Sequence, residues 1–127
     1  MEITDISTFL EYYERIRERT RRVVGLVPPE KLNWAYMPGK FTLADIIRHI
    51  AAIERNLYAE AVQGNPSRYT GCGPELASGH AEVLAYFDRM HRESVSIFQS
   101  LTAEDLQRKC LTPGGGEIRI WKWLRAL

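Results

Sequence analysis

Apolar residues recur every three or four positions in three long segments of the chain, and only a helix places such residues on one side. The segments end at residues that stop helices, such as Gly25 shortly before Pro28, and the run 64–66. Strict alternation of apolar and polar residues never persists, so we predict no strands and interpret 109–116 as irregular. We predict four helices. They cover 5–24, 43–63, a span that begins within 75–79 and ends at 100, and 118–127. The chain is therefore predicted to be all-α.

The lengths of these predicted helices are unequal. The 127 residues suffice for one domain spanning 1–127. Three helices would be roughly 30 Å long and the fourth about half that, so we expect an antiparallel four-helix bundle with an incomplete fourth helix and an open apolar groove. Such a stub would expose Trp121 and Trp123. The absence of a stop signal near Leu127 favours a chain that naturally continues. The alternative is a partner subunit in the groove, and we expect a homodimer.

The charges of the chain are nearly balanced. There are 17 Lys and Arg residues against 16 Asp and Glu residues, which gives a formal net charge of +1. Nucleic-acid-binding proteins usually carry a basic face, so we predict no nucleic-acid partner. Arginines crowd 15–22, but Glu11, Glu14 and Glu18 are interleaved with them. That arrangement favours a solvated face with ion pairs one helical turn apart.

The length of the apolar runs and the spacing of the cysteines indicate the cellular compartment. No run approaches the roughly 18–20 apolar residues that cross a bilayer, and the N-terminus lacks the core of a signal peptide. Cys72 and Cys110 match no metal or redox spacing and cannot build a disulfide framework. Because Cys72 lies between two glycines, we expect an accessible thiol. We predict a cytoplasmic protein with no membrane partner.

The start of the second helix delivers a histidine to the edge of an apolar stripe. Thr42 and Asp45 have the spacing of a capping box, in which each side chain binds the backbone N–H of the other residue. His49 lies about 95° from the centre of the stripe that follows. At that position it is either a half-buried core-edge histidine or a metal ligand. The stripe consists of Leu43, Ile46, Ile47, Ile50, Ile53 and Leu57.

The other polar residues near this stripe give no complete site. Asn56 and Glu60 follow His49 along the same side of the helix, whereas Glu54 lies across the stripe. The remaining histidines, 80 and 91, are about 16 Å apart along the third helix, too far to chelate one ion together. We interpret both as surface or flank residues.

The segment from Trp34 through 38–49 resembles the DinB/YfiT-like four-helix-bundle family, and so do 101–106 and 118–127. The resemblance covers essentially the whole chain through the order and spacing of these motifs. It implies a divalent metal, commonly nickel, zinc or iron, held by three histidines. It also implies an activity on small molecules, since characterised relatives include thiol-dependent S-transferases and a thiol-dependent isomerase.

The implied metal site is only partly present in this sequence. The helix-two ligand of the family maps onto His49. The other two ligands form a His-x-x-x-His pair on helix four and map onto no residue, because the sequence ends at Leu127 before that point. We therefore expect a truncated form that binds no metal tightly and is inactive, with Glu54, Asn56 or Glu60 available to support His49. The alternative is a non-catalytic binding or dimerisation module whose groove receives a partner helix.

Overall fold

The computed structural model describes residues 2–127, and its core is helical. None of the helices within 2–127 is both long and apolar enough to cross a membrane. Strands appear only in one short hairpin between the last two helices. The elements are α1 (Ile6–Gly25), a 3-10 turn (Pro29–Lys31), α2 (Leu43–Ile53), a π-helical segment (Glu54–Ala59), α3 (Glu60–Val62), α4 (His80–Gln99), α5 (Ala103–Gln107), β1 (Lys109–Leu111), β2 (Glu117–Arg119) and α6 (Ile120–Arg125).

Capping side chains fix where the first two long helices begin. The Asp5 carboxylate accepts the Ser7 N–H at 3.1 Å at the start of α1. The capping box predicted at α2 is present: the Thr42 hydroxyl accepts the Asp45 N–H at 3.0 Å, and the Asp45 carboxylate accepts the Thr42 N–H at 2.9 Å. The second predicted helix is thus one continuous rod made of α2, the π-helical segment and α3.

The long helices do not all alternate in direction. Val24 at the end of α1 shares a core cluster with Ala44 and Val83, which lie at the starts of α2 and α4. The opposite end of the molecule holds a second cluster, in which Phe9 near the start of α1 meets Phe98 near the end of α4. α2 and α4 are therefore parallel to each other and antiparallel to α1. The helical core agrees with the prediction, whereas the alternating arrangement expected from the sequence is not what the structure has.

The segment 63–79 makes this arrangement possible by running back along the whole of α2. Near its start, the Arg68 N–H donates to the Asn56 carbonyl at 2.8 Å. Further along, the buried Arg48 side chain donates to the carbonyls of Cys72 at 2.7 Å and Ala77 at 2.9 Å. The glycines and prolines of this segment predicted a loop correctly, but not that the loop returns the chain to the end from which α2 began.

The prediction of no strands was wrong for 109–119. β1 and β2 pair antiparallel with Cys110 opposite Ile118. The turn between them closes with a hydrogen bond from the Thr112 N–H to the Gly116 carbonyl at 2.8 Å, and Gly115 takes a positive φ of 86°. Strands of three residues are too short to produce a visible alternation, so the sequence pattern could not reveal them.

The short helix α6 is docked against the second core cluster. Trp121 and Trp123, expected to be exposed, are buried. The Trp123 ring stacks on Tyr58 with centroids 4.3 Å apart, and its indole N–H donates to the Tyr58 carbonyl at 3.2 Å. The expectation failed because the hairpin turns α6 onto the end of the bundle instead of leaving it as a stub.

Candidate functional site

α2 has two apolar faces of different character. Its inner face, between α1 and α4, is buried and consists mainly of small residues, with Ile47 as the only bulky aliphatic one. Of the predicted stripe, only Ile47 therefore belongs to the fully buried face. Small side chains let neighbouring helices approach closely, so the larger aliphatic residues are left on the other side. We call that side the outer face of α2; it consists of the half-buried or exposed Leu43, Ile46, Ile50, Ile53 and Leu57.

His49 lies at the margin of the outer face and is half-buried. Its Nδ1 is 2.8 Å from the hydroxyl oxygen of Tyr69, and the two rings meet edge to face with centroids 5.7 Å apart. Among residues 2–127, the structure gives the other ring nitrogen, Nε2, no hydrogen-bond partner. Histidines that bind metals characteristically have one nitrogen held by the protein and the other directed to the ion.

Tyr69 connects His49 to a cysteine on the returning segment. Burial, together with the neighbouring Cys72 thiol, raises the pKa of Tyr69. Cys72 is buried, contrary to the expectation of an accessible thiol, because Arg48 holds its carbonyl against α2. Tyr69 was not identified from the sequence, since nothing local indicated that the segment 63–79 passes beside His49.

A second polar cluster lies inside the molecule, and we call it the Glu54 cluster: Tyr13, Glu14, Arg17, Glu54 and His91. Glu54 is only 1% exposed. Its carboxylate accepts hydrogen bonds from the Tyr13 hydroxyl, from Arg17 Nε at 2.8 Å and from His91 Nδ1 at 3.1 Å. The other imidazole nitrogen of His91 binds the Glu14 carboxylate. Three helical elements thus meet at one buried carboxylate.

The charges of the Glu54 cluster compensate one another. Burial alone would raise the pKa of Glu54, but the hydrogen bonds and positive charges of His91 and Arg17 hold that pKa below its usual range. Burial also opposes the charge on His91, yet the hydrogen bonds to Glu54 and Glu14 raise the pKa of His91 above its ordinary 6.5. Burial and the Glu54 charge raise the pKa of Tyr13, so its hydroxyl stays protonated. The cluster therefore holds an ionised carboxylate beside an imidazolium.

His91 was interpreted as a surface or flank residue, and the surface alternative is wrong, since the side chain is only 20% exposed and is bonded on both nitrogens. The arginine-rich face of α1 is likewise solvated only in part. Arg22 pairs with Glu18 at 3.7 Å in solvent, as predicted, but Arg21 reaches Asp88 on α4 at 2.7 Å. Tyr13 and Arg17 lie one turn apart on α1 and bind the same carboxylate, but no local pattern in the sequence indicated that Glu54 would be their partner.

The polar residues considered as supports for His49 do not contact it. Glu54 points into the interior, as described above. Asn56 accepts the Arg68 N–H through its backbone carbonyl, and Glu60 is paired with Arg55. None of these three residues orients the His49 ring. The Tyr69 hydroxyl does so instead.

The structure does not assemble a complete metal site from the described residues. His80 is the first residue of α4 and His91 belongs to the Glu54 cluster, so neither joins His49. Within 2–127, no group of three or more His, Cys, Asp or Glu side chains is placed to hold an ion. The residues present thus fit one ligand of the three-histidine site that the resemblance implies, and not the whole of it.

Comparison with known proteins gives one match. A family model described as DinB superfamily matches residues 12–127. No curated protein and no solved structure matches the chain. The match covers α1 from its second turn onward and every element that follows, including both histidine environments described above.

Proposed function

The chain belongs to the DinB superfamily, and on that premise we propose that it functions through His49 as one ligand of a divalent metal centre. The superfamily is generally associated with metals. The reaction we propose for the complete centre is thiol-dependent transfer to a small molecule, the class to which the sequence resemblance points. Nickel, zinc and iron are the metals that this resemblance implies.

The observation that carries this proposal is the pair of environments around the His49 ring. Nδ1 is held by the Tyr69 hydroxyl at 2.8 Å, and Nε2 has no partner among residues 2–127. If Nδ1 donates its hydrogen to Tyr69, the lone pair lies on Nε2, which is the form of imidazole that binds a metal. The apolar outer face beside the ring would exclude water from the ion and strengthen its electrostatic interactions.

A single imidazole does not make a tight metal centre. Zinc sites take three or four protein ligands, and complete structural sites contribute about 10–16 kcal/mol of binding free energy. Residues 2–127 place no group of three or more His, Cys, Asp or Glu side chains around an ion at His49. We therefore propose that residues 1–127 alone bind metal weakly and have no metal-dependent transferase activity.

Calorimetric titration of the chain with Zn²⁺ and with Ni²⁺ tests this proposal. We expect weak binding that His49→Ala abolishes, because the variant removes the imidazole that we propose as the ligand. His80→Ala is the matched control, since it removes a histidine outside the proposed site and should leave the His49-dependent binding in place. Tight stoichiometric binding that survives in His49→Ala would overturn the assignment.

A second function is supported by the outer face of α2. Its aliphatic side chains are partly uncovered, and Ile46 is 44% exposed. Val23 and Leu26, at the end of α1, are also exposed, and they line a groove together with Leu43 at the start of the outer face. Contiguous apolar surface of this kind is typical of protein interfaces. The alternative we propose is a non-catalytic module that forms a homodimer by pairing this face with the same face of a second copy.

Sedimentation equilibrium over a range of concentrations tests the alternative. The wild-type chain should have the mass of a dimer, and Ile46→Glu should have the mass of a monomer because a charge cannot be buried in the apolar contact. Ser96→Glu places the same charge on the exposed surface of α4 and should remain dimeric. A wild-type chain that is monomeric at every concentration contradicts the alternative.

A further inference from the structure

The Glu54 cluster ties together three parts of the fold and is separate from His49. Glu14 comes from α1, Glu54 from the π-helical segment and His91 from α4. His91 lies between the two carboxylates, with Nδ1 on Glu54 at 3.1 Å and Nε2 on Glu14. The two carboxylates differ in exposure: Glu54 is buried, whereas the Glu14 side chain is 48% exposed. A groove between α1 and α4 runs directly above this bridge; it is lined by Glu14, Arg17, Glu18, Arg21, Phe87, Asp88, His91 and Arg92.

We propose that His91 is a proton-operated latch that ties α1 to α4 across this groove by bridging Glu14 to Glu54, and that loss of one proton from its ring releases Glu14. We call the bridge of Glu14, His91 and Glu54 the latch. Its closed state is the one in the structure. In its open state Glu14 is no longer bonded to His91, so that α1 and α4 are no longer joined through Glu14.

The chemistry of the groups requires the proton. A carboxylate only accepts hydrogen bonds, so His91 must donate from both nitrogens, and only the imidazolium has two N–H groups. A neutral imidazole keeps one hydrogen and turns a lone pair toward one of the carboxylates. Glu54 is buried and cannot be rehydrated, so the remaining hydrogen stays on Nδ1. Glu14 is partly solvated and turns outward, which breaks its bond to His91 on α4.

The surrounding charged groups leave His91 as the group that changes charge. From α1, Tyr13 and Arg17 also face the cluster, and Arg17 Nε is 2.8 Å from the Glu54 carboxylate. Arg17 keeps Glu54 ionised after the imidazolium is lost. On α4 itself, Asp88 and Arg92 line the same groove. Asp88 is paired with Arg21 at 2.7 Å, and this second tie between α1 and α4 limits the opening to the Glu14 end.

The direction of the pH response follows from the raised pKa of His91. A raised pKa means that the folded state binds the proton more tightly than the unfolded chain does. The imidazolium of the folded protein therefore persists to higher pH than that of the unfolded chain, and the latch opens as the pH rises through the raised pKa of His91. Acidification does not open it through His91.

Nitrogen NMR of the His91 ring in the wild-type chain tests the latch directly. On the acidic side of 6.5 both ring nitrogens should be protonated, and on raising the pH Nε2 should lose its hydrogen while Nδ1 keeps it. Hydrogen-exchange protection, corrected for the intrinsic effect of pH, should fall over the same range around Glu14 and less around Arg21. A ring that titrates at or below 6.5, or protection that does not change with the ring, overturns the proposal.

Two matched variants separate a latch from a merely structural histidine. Glu14→Gln removes the outer carboxylate and should lower the midpoint of the His91 titration toward 6.5, with loss of the pH-dependent protection in α1. Asp88→Asn removes the other ion pair between the same helices and should leave the His91 midpoint unchanged. If both variants shift the midpoint equally, or if neither does, the latch as proposed does not exist.

Discussion

His49 and His91 lie on neighbouring helices of one small bundle but have opposite surroundings. His49 is at the margin of an apolar face, bonded on one nitrogen to a neutral hydroxyl. His91 is bonded on both nitrogens to carboxylates. The first environment suits a neutral imidazole with a lone pair to offer, and the second suits an imidazolium. The contrast teaches that a histidine at the edge of a helical core takes its role from the groups that face it and not from its position in the helix.

We expect the largest effect in this comparison from removing the carboxylate at the centre of the Glu54 cluster. Glu54→Ala should lower the free energy of unfolding by about 3–5 kcal/mol, because it removes the buried carboxylate that balances the charges of Arg17 and His91 in the interior. Urea denaturation followed by circular dichroism measures the loss. Glu18→Ala removes a carboxylate from an exposed ion pair and should cost less than about 1 kcal/mol. Similar losses in the two variants would show that the cluster contributes no more than a surface pair.

The difference between the two faces of α2 is tested by substituting one side chain on each face and comparing the effect of the change in volume. Ala51→Leu adds bulk to the close-packed inner face and should cost about 1–3 kcal/mol through overpacking. Ile46→Leu conserves volume on the outer face and should change stability by less than about 0.5 kcal/mol. The same urea experiment measures both. Tolerance of Ala51→Leu would mean that the helices are not closely packed at the inner face.

Because the two histidines have different charged surroundings, we predict that one of them, His91, makes the free energy of unfolding depend on pH. The free energy of unfolding should fall as the pH rises above 6.5, by about 1.4 kcal/mol for each unit by which the pKa of folded His91 exceeds that value. His91→Gln should remove this dependence, whereas His49→Gln should retain it. Thermal denaturation at a series of pH values supplies the curves. A slope that disappears with His49 instead would reverse the roles assigned to the two residues.

The smallest expected effect concerns the hydroxyl beside His49. Tyr69→Phe keeps the ring and removes the hydrogen bond, so it should cost about 1 kcal/mol in urea denaturation. It should also let the His49 ring exchange between its two neutral forms, which nitrogen NMR detects. Tyr58→Phe serves as the control, because only the backbone carbonyl and the ring of Tyr58 contact Trp123. An unchanged His49 spectrum in Tyr69→Phe would show that Tyr69 does not orient the ring.

Local chemistry made much of the helical framework predictable. The capping box of Thr42 and Asp45 is a contact between residues three positions apart, and it marked the start of α2 to the residue. Breaker residues located the ends of α1 and α3 to within one or two positions. These features depend on neighbours in the chain, and the sequence contains all the partners.

Contacts between distant residues account for what the sequence could not reveal. Helical periodicity detects bulky apolar stripes, so it selected the outer face of α2 and passed over the small residues, such as Ala51, that form the true core face. Glu54 joins Tyr13 and His91 across separations of 41 and 37 residues, which no local pattern encodes. For the candidate site, His49 was identified from its place on the helix, while Tyr69 depended on the path of a loop.

The π-helical segment Glu54–Ala59 has a consequence for how the two core clusters are aligned. A π turn accommodates more residues than an α turn, and each added residue rotates everything after it by about 100°. Ala51 before the segment packs in one cluster, and Val62 after it packs in the other. The segment therefore sets the rotation about the helix axis that relates the side chains before it to the side chains after it. A chain with one residue deleted there would keep its caps and every large apolar side chain, yet it could align only one of its two cores at a time.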